Sequence, residues 1–198
     1  VGMAMSQAIS FNKTREMFPT SLYGDNSGFE DAMAAMDPKI DLPTYSMFNE
    51  RAAYGFEATT TSAGMVSRTP GEGSAYLGAY YDADGDALMG GQNYTMNIGP
   101  KPPAKNFWSF VIYDPQTRSM LQTPDQKFPS VNSMREGLQT EPDGSVLLTI
   151  APQRPLEREG NWIQSREGKG WFAILRLYGP EEAWFDKTWR PGEIELTP

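Results

Sequence analysis

The chain has 198 residues, with 17 Lys and Arg against 25 Asp and Glu and no His or Cys. That length fits one domain, or one domain with a long appendage, and needs no covalent staple to fold. A net charge of -8 argues against nucleic-acid or anionic-membrane surfaces, because phosphate binding runs on Lys and Arg.

The missing His and Cys remove several chemistries from this chain. Ser-His-Asp and Cys-His nucleophiles, His- or Cys-ligated zinc, c-type haem, iron–sulfur clusters and disulfides all need one or the other. No cofactor is implied. Cysteine usage leaves the compartment open. No apolar run approaches the roughly 18 residues of a membrane span. The opening Val1-Gly2-Met3 shows no charged start, apolar signal core or cleavage site. We expect either a removed leader or a piece of a longer protein.

The two halves differ. Residues 1–90 carry 5 basic and 12 acidic residues and eight of the eleven Met, whereas residues 91–198 carry 12 and 13. Residues 1–72 read as a partly helical lead-in. Phe29, Met33 and Met36 recur at helical spacing and would share one face. Ser27 and Glu30 stand at capping-box spacing in front of them, and Asp37-Pro38 ends the pattern. A second short helix is expected near Thr44 to Tyr54. The Met-rich face reads as core or docking surface.

From residue 73 the chain reads as β. Strands are expected at Ala75 to Tyr81, Tyr94 to Ile98, Phe107 to Tyr113, Ser145 to Ile150 and Trp171 to Tyr178, each bounded by Gly, Pro or Asp turns. Strands with no helices between them favour an antiparallel sandwich or barrel. Pro180 to Asp186 suits a short helix, with Glu181 and Glu182 at its positive end.

Several residues are candidates for chemistry. Asp82-Ala83-Asp84-Gly85-Asp86 reads either as a hairpin turn or as a calcium loop with Asp82, Asp84 and Asp86 as ligands. Carboxylate pairs are the remaining acid/base equipment, and glycoside hydrolysis needs only two of them. Candidates are Asp82, Asp84, Asp86, Asp114 and Asp143. Arg176 interrupts an apolar strand and shares a face with Phe172, Ile174 and Tyr178, away from Ala173, Leu175 and Leu177. There it either clamps a carboxylate or phosphate, or is tied to a buried Asp or loop carbonyls. Most of Trp108, Trp162, Trp171, Trp184 and Trp189 are expected in the core. An exposed Trp ring would make a platform for a sugar, and Asn161-Trp162 at a loop exit is the pair that best suits binding. The candidate binding set is therefore Trp108, Asn161, Trp162, Arg176 and Tyr178, with no metal beyond possible calcium.

These segments together resemble the bacterial domain-of-unknown-function 1214 family. The resemblance rests on Gly73-Ser74-Ala75-Tyr76-Leu77, Asp82-Ala83-Asp84-Gly85, Gly90-Gly91-Gln92-Asn93-Tyr94, Phe107-Trp108-Ser109 and Tyr113-Asp114. It continues through Asp143-Gly144-Ser145-Val146, Asn161-Trp162 and Arg176-Leu177-Tyr178-Gly179-Pro180 to Trp189 and Pro191. Each piece is weak alone; their order and spacing over residues 73–194 carry the match. Ile98-Gly99-Pro100 and Ile150-Ala151-Pro152 depart mildly from the pattern. The resemblance implies a jelly-roll sandwich over residues 73–198, oligomerisation, and an upstream domain of the 1254 family in longer members. Export signals in members imply a periplasmic or extracellular location. The family has no settled activity. Three functions stay open: binding or processing of a carbohydrate or other polar small molecule, structural docking on an upstream domain or second copy, and carboxylate-based hydrolysis.

Overall fold

A computed structural model describes residues 22–24, 27–31, 41–46 and 69–198. Two sheets face each other across one apolar core. The first has five antiparallel strands, in the order β1 (Phe29–Asp31), β4 (Ser74–Ala79), β10 (Phe172–Pro180), β6 (Ala104–Tyr113) and β7 (Ser130–Asn132). The second has four: β11 (Ile194–Thr197), β5 (Asn93–Ile98), β8 (Val146–Ala151) and β9 (Trp162–Gln164). It is mixed rather than purely antiparallel, because β8 and β9 run parallel. A two-residue pair, β2 (Asp41–Leu42) with β3 (Tyr45–Ser46), stands apart. The one α-helix among the described residues is the four-residue α1, Glu182–Phe185, inside the segment expected to be helical.

The core forms because alternate side chains of each strand point to one side. Leu77, Phe110, Ile112, Leu175 and Leu177 of the first sheet meet Tyr94, Met96, Ile98, Leu148 and Ile150 of the second, all essentially without solvent exposure. The five strands expected from residue 73 onward are all present. The shorter β7, β9 and β11 were not anticipated.

The lead-in departs from its expected helix where it is described. Phe29–Asp31 is a strand, paired with Ala79, Gly78 and Leu77. Phe29 is 1% exposed in the core, and burying that ring outweighs the modest helical preference of the segment. Ser27 does not cap a helix; its Oγ accepts the Phe29 amide at 3.2 Å. Tyr45–Ser46 is likewise strand rather than the start of a helix. Met33, Met36 and residues 47–54 lie outside the described residues.

Arg135 and two glutamines stitch the sheets together where β7 and β9 lie. Arg135 donates to the Ser130 carbonyl at 3.0 Å and the Trp162 carbonyl at 3.3 Å. The Gln126 side chain accepts from the Gln164 amide at 2.8 Å and donates to the Trp162 carbonyl at 3.0 Å. Side-chain amides thus extend the β9 ladder where no further strand follows among the described residues, which blunts an open edge.

Candidate functional site

The outer face of the five-stranded sheet, turned away from the core, gathers aromatic side chains around one cation. It follows from alternation and register. On β10, Ala173, Leu175 and Leu177 point to the core, so Phe172, Ile174, Arg176 and Tyr178 point out. Arg176 sits opposite Tyr76 on β4 and Ser109 on β6. Tyr178 is opposite Phe107, and Phe172 opposite Tyr113.

The rings pack on one another. Phe107 and Tyr178 stack with centroids 4.0 Å apart and planes 14° from parallel. Tyr80, Phe172 and Tyr113 form a second run of stacked rings, at 5.5 and 5.3 Å. Tyr80 lies across Gly78, where a Cβ would come within 2.6 Å of its hydroxyl oxygen; any larger residue there would displace the ring. The Arg176 guanidinium sits 5.7 Å from the Tyr76 ring centre and 5.8 Å from that of Tyr113. Its Nη2 donates to the Tyr113 hydroxyl, while its Nε is buried without a partner.

Arg176 has no carboxylate partner among the described residues. Among the described residues no buried Asp and no loop carbonyl is tied to it; phenols and ring faces hold it instead. Burial works against its charge, but the oxygens of Tyr113, Tyr178 and Tyr76 outweigh that and raise its pKa. Burial pushes the Tyr113 phenol up against the opposing pull of Arg176, which keeps it a neutral hydroxyl near pH 7. Cation–π contact is worth up to about 2 kcal/mol when desolvated. Phenols and rings thus hold this charge without a carboxylate beside it among the described residues.

The remaining candidates are placed elsewhere. Trp108 is on β6 but points inward, 5% exposed in the core, on the opposite side of the sheet from Arg176. Asn161 is fully buried. It donates to the carbonyls of Gln139 and Leu147 at 2.8 and 2.9 Å and accepts the Gln139 amide at 2.8 Å. Trp162 is buried on β9 and gives its indole N–H to the Ala151 carbonyl at 3.0 Å. Neither presents a free polar group. All five Trp are buried, so none offers a flat exposed ring. Only Arg176 and Tyr178 of the candidate set are brought together.

The acids are occupied locally. Asp82 Oδ1 accepts the amides of Asp84 and Asp86 at 3.1 and 2.9 Å, so this oxygen closes the hairpin turn instead of facing an ion. Among the described residues no group of three acids is positioned to hold a metal ion. A shallow concavity of about 440 Å³ beside this turn is lined by Ser27, Gly28, Tyr81, Asp82, Asp84 and Glu193, among others. Glu193 is itself engaged by the Gly28 amide and Arg190. Asp114 accepts from the Gln116 amide at 2.7 Å and pairs with Lys169 at 3.0 Å. Burial raises its pKa, but the Lys169 ammonium and the turn amides more than offset this and hold it below the ordinary carboxylate value. Asp143 takes the Ser145 amide at 2.9 Å and is likewise held low by hydrogen bonds from Ser145.

Tyr76, Phe107 and Tyr113 were not among the site residues expected from sequence. Their signal was present: Tyr76 alternates with Ala75 and Leu77, and Phe107, Ser109, Val111 and Tyr113 alternate with Trp108, Phe110 and Ile112. Which outward residues meet Arg176 depends on register between distant strands.

The chain belongs to the family described as protein of unknown function (DUF1214), whose model matches residues 73–182. The family match therefore spans the whole aromatic face around Arg176. Among solved structures, the VPA0106 protein of Vibrio parahaemolyticus shares the fold. It has a TM-score of 0.60 and 19% identity, over 84% of this chain and 41% of its own. An uncharacterised Burkholderia cenocepacia protein matches at 13% identity and a TM-score of 0.41, over 98% of this chain and 49% of its own. The chain thus spans half or less of each. No curated protein matches it.

Proposed function

We propose that this domain is a binding module for a small polar molecule, a carbohydrate or another ring-bearing compound, seated on the outer face around Arg176. The observation that carries it is the Arg176 guanidinium, half-buried among Tyr76, Tyr113 and Tyr178 and lacking a carboxylate partner among the described residues. Half-buried Phe107 and Tyr178 rings offer apolar surface beside it. Binding sites combine such apolar walls with a few convergent polar groups. The jelly-roll wiring belongs to the same proposal. It is supported by repeated passage of the chain between sheets, at β4–β5, β5–β6, β7–β8, β9–β10 and β10–β11.

A thermal-shift screen against neutral sugars, sugar acids, aromatic amides and small carboxylates tests the binding reading. Ligand at a hundredfold excess over its dissociation constant stabilises by about 2.7 kcal/mol. The expected result is a rise in Tm for at least one class, lost in Tyr178→Ala. No rise with any class overturns the reading.

A second reading is favoured by one observation. Tyr76, Phe107, Ile174 and Tyr178 are only half-buried on this outer face, beside the buried cluster of Tyr80, Val111, Tyr113 and Phe172, and this part-open apolar strip suits docking on an upstream domain or a second copy. It predicts that a longer chain or a dimer, not a small molecule, protects Tyr178 from solvent. Hydrolysis is the least supported, because a general acid needs a carboxyl held protonated, and Asp114 and Asp143 shift the other way. An exported location fits any of these readings and is tested by fractionating cells that make the full-length protein.

A further inference from the structure

Resting on the binding reading above, we infer that the ligand is a carboxylic acid, a monoanion carried on a flat or apolar ring. Arg176 Nε is buried without a hydrogen-bond partner. A lone buried guanidinium donor is costly, and such groups are ordinarily satisfied. The Nε–Nη edge of a guanidinium is a two-donor fork whose spacing matches the two oxygens of a carboxylate. A carboxylate on that edge would supply both the missing acceptor and the missing counter-charge.

The surroundings select among anions. One cation, with no Lys or second Arg against it among the described residues, suits a single negative charge. A phosphate dianion would need more donors, and it would meet the repulsion of a chain carrying a net charge of -8. The Tyr113 hydroxyl, held neutral and already accepting from Nη2, fixes the orientation of the fork. Tyr76 and the stacked Phe107–Tyr178 pair flank it with half-buried apolar surface, which favours a ring attached to the acid over a short aliphatic chain. The acid group gives the charge contact and the ring gives the area.

The test compares acids with matched neutral partners: benzoate against benzamide, and galacturonate against galactose, read by thermal shift and by ligand-observed NMR. The acids are expected to bind, and each neutral partner to bind at least about tenfold more weakly, as for losing a charge-assisted hydrogen bond. Arg176→Gln should weaken acid binding about 10- to 100-fold. Arg176→Lys, which keeps the charge without the fork, should restore little of it. Tyr113→Phe, which leaves the cation in place, serves as a milder second variant and should weaken acids by less than tenfold. Equal binding of acid and neutral partner, with loss in Tyr178→Ala, overturns the acid assignment and leaves the binding reading standing. Acid binding unchanged in Arg176→Gln, Arg176→Lys and Tyr113→Phe overturns it too. No binding by any compound overturns both.

Discussion

The two sheets share one core yet turn opposite kinds of surface outward. On the four-stranded sheet, Asn93, Thr95 and Asn97 of β5, Thr149 of β8 and Glu195 of β11 face away from the core, and all are exposed or half-buried. On β5, β8 and β11 that is the alternation of a sheet with one solvated side; only β9 departs from it, with Trp162 and Gln164 buried. The outer face of the five-stranded sheet instead carries Tyr80, Val111, Tyr113 and Phe172 below 9% exposure, with Arg176 beside them. A strand apolar on both sides has two faces to bury. The difference teaches where to look for a partner: around Arg176, Tyr76, Phe107 and Tyr178, the residues of that outer face that stay partly open.

The strongest test of this contrast uses neighbouring positions on one strand. Leu175→Ala, on the core side of β10, should cost about 2–5 kcal/mol, because the cavity it leaves is closed in on every side. Ile174→Ala, on the outer side and half-buried, should cost about 1 kcal/mol in the isolated domain. Urea unfolding of both variants checks the difference. Equal losses would mean that the outer face is packed like the core and has no room for a ligand.

Next in size is Asn161→Ala. It strands the Gln139 amide and the carbonyls of Gln139 and Leu147 in a fully buried site, at an expected cost of about 3 kcal/mol. Trp162→Phe removes one indole hydrogen bond to Ala151 and should cost about 1 kcal/mol. Both are predicted to leave benzoate affinity unchanged in the folded protein. A change in affinity at constant fold would move the binding site to the β9 side of the molecule.

These residues also show what could be read from the sequence. Long strands were legible, since β4, β5, β6, β8 and β10 each carry six or more residues between turn formers. The three-residue β1, β7 and β9 are too short to show a period. At Phe29 a real capping-box spacing pointed to helix, and a tertiary pairing with Ala79 overrode it. Arg176 was legible as an interruption of an apolar run, and its face followed from alternation alone. Asn161-Trp162 looked like a polar loop exit because a buried amide bridging two distant backbone segments leaves no local signature. Tyr76 and Tyr113 were visible as residues but not as neighbours of Arg176, since register between strands far apart in sequence is set by the assembled sheet.

The Asp114–Lys169 pair supplies a smaller effect with a defined pH window. The Asp114 pKa is lowered in the folded chain, so its stabilisation is present above the unfolded value of about 3.9 and disappears as pH falls through the folded value. Lys169 is 36% exposed, and water screens the pair, so Asp114→Asn should cost about 1 kcal/mol at pH 7. The gap between wild type and variant should close as pH is lowered below about 4. A gap that stays constant down to pH 2 would show that the turn amides do not depend on the charge.

The smallest effect closes the contrast from its solvated side. Thr95 lies opposite Thr149 on β8 and Glu195 on β11, on a face with no apolar cluster among the described residues. Thr95→Val keeps the β-branched shape that suits a strand and removes only a hydroxyl that water can satisfy. Its stability should stay within about 0.5 kcal/mol of wild type, with benzoate binding untouched. A loss above about 1 kcal/mol is reserved for groups with buried partners or tight packing. Measured at Thr95, it would mean that this face too is covered, and a partner would then have to be sought against both sheets.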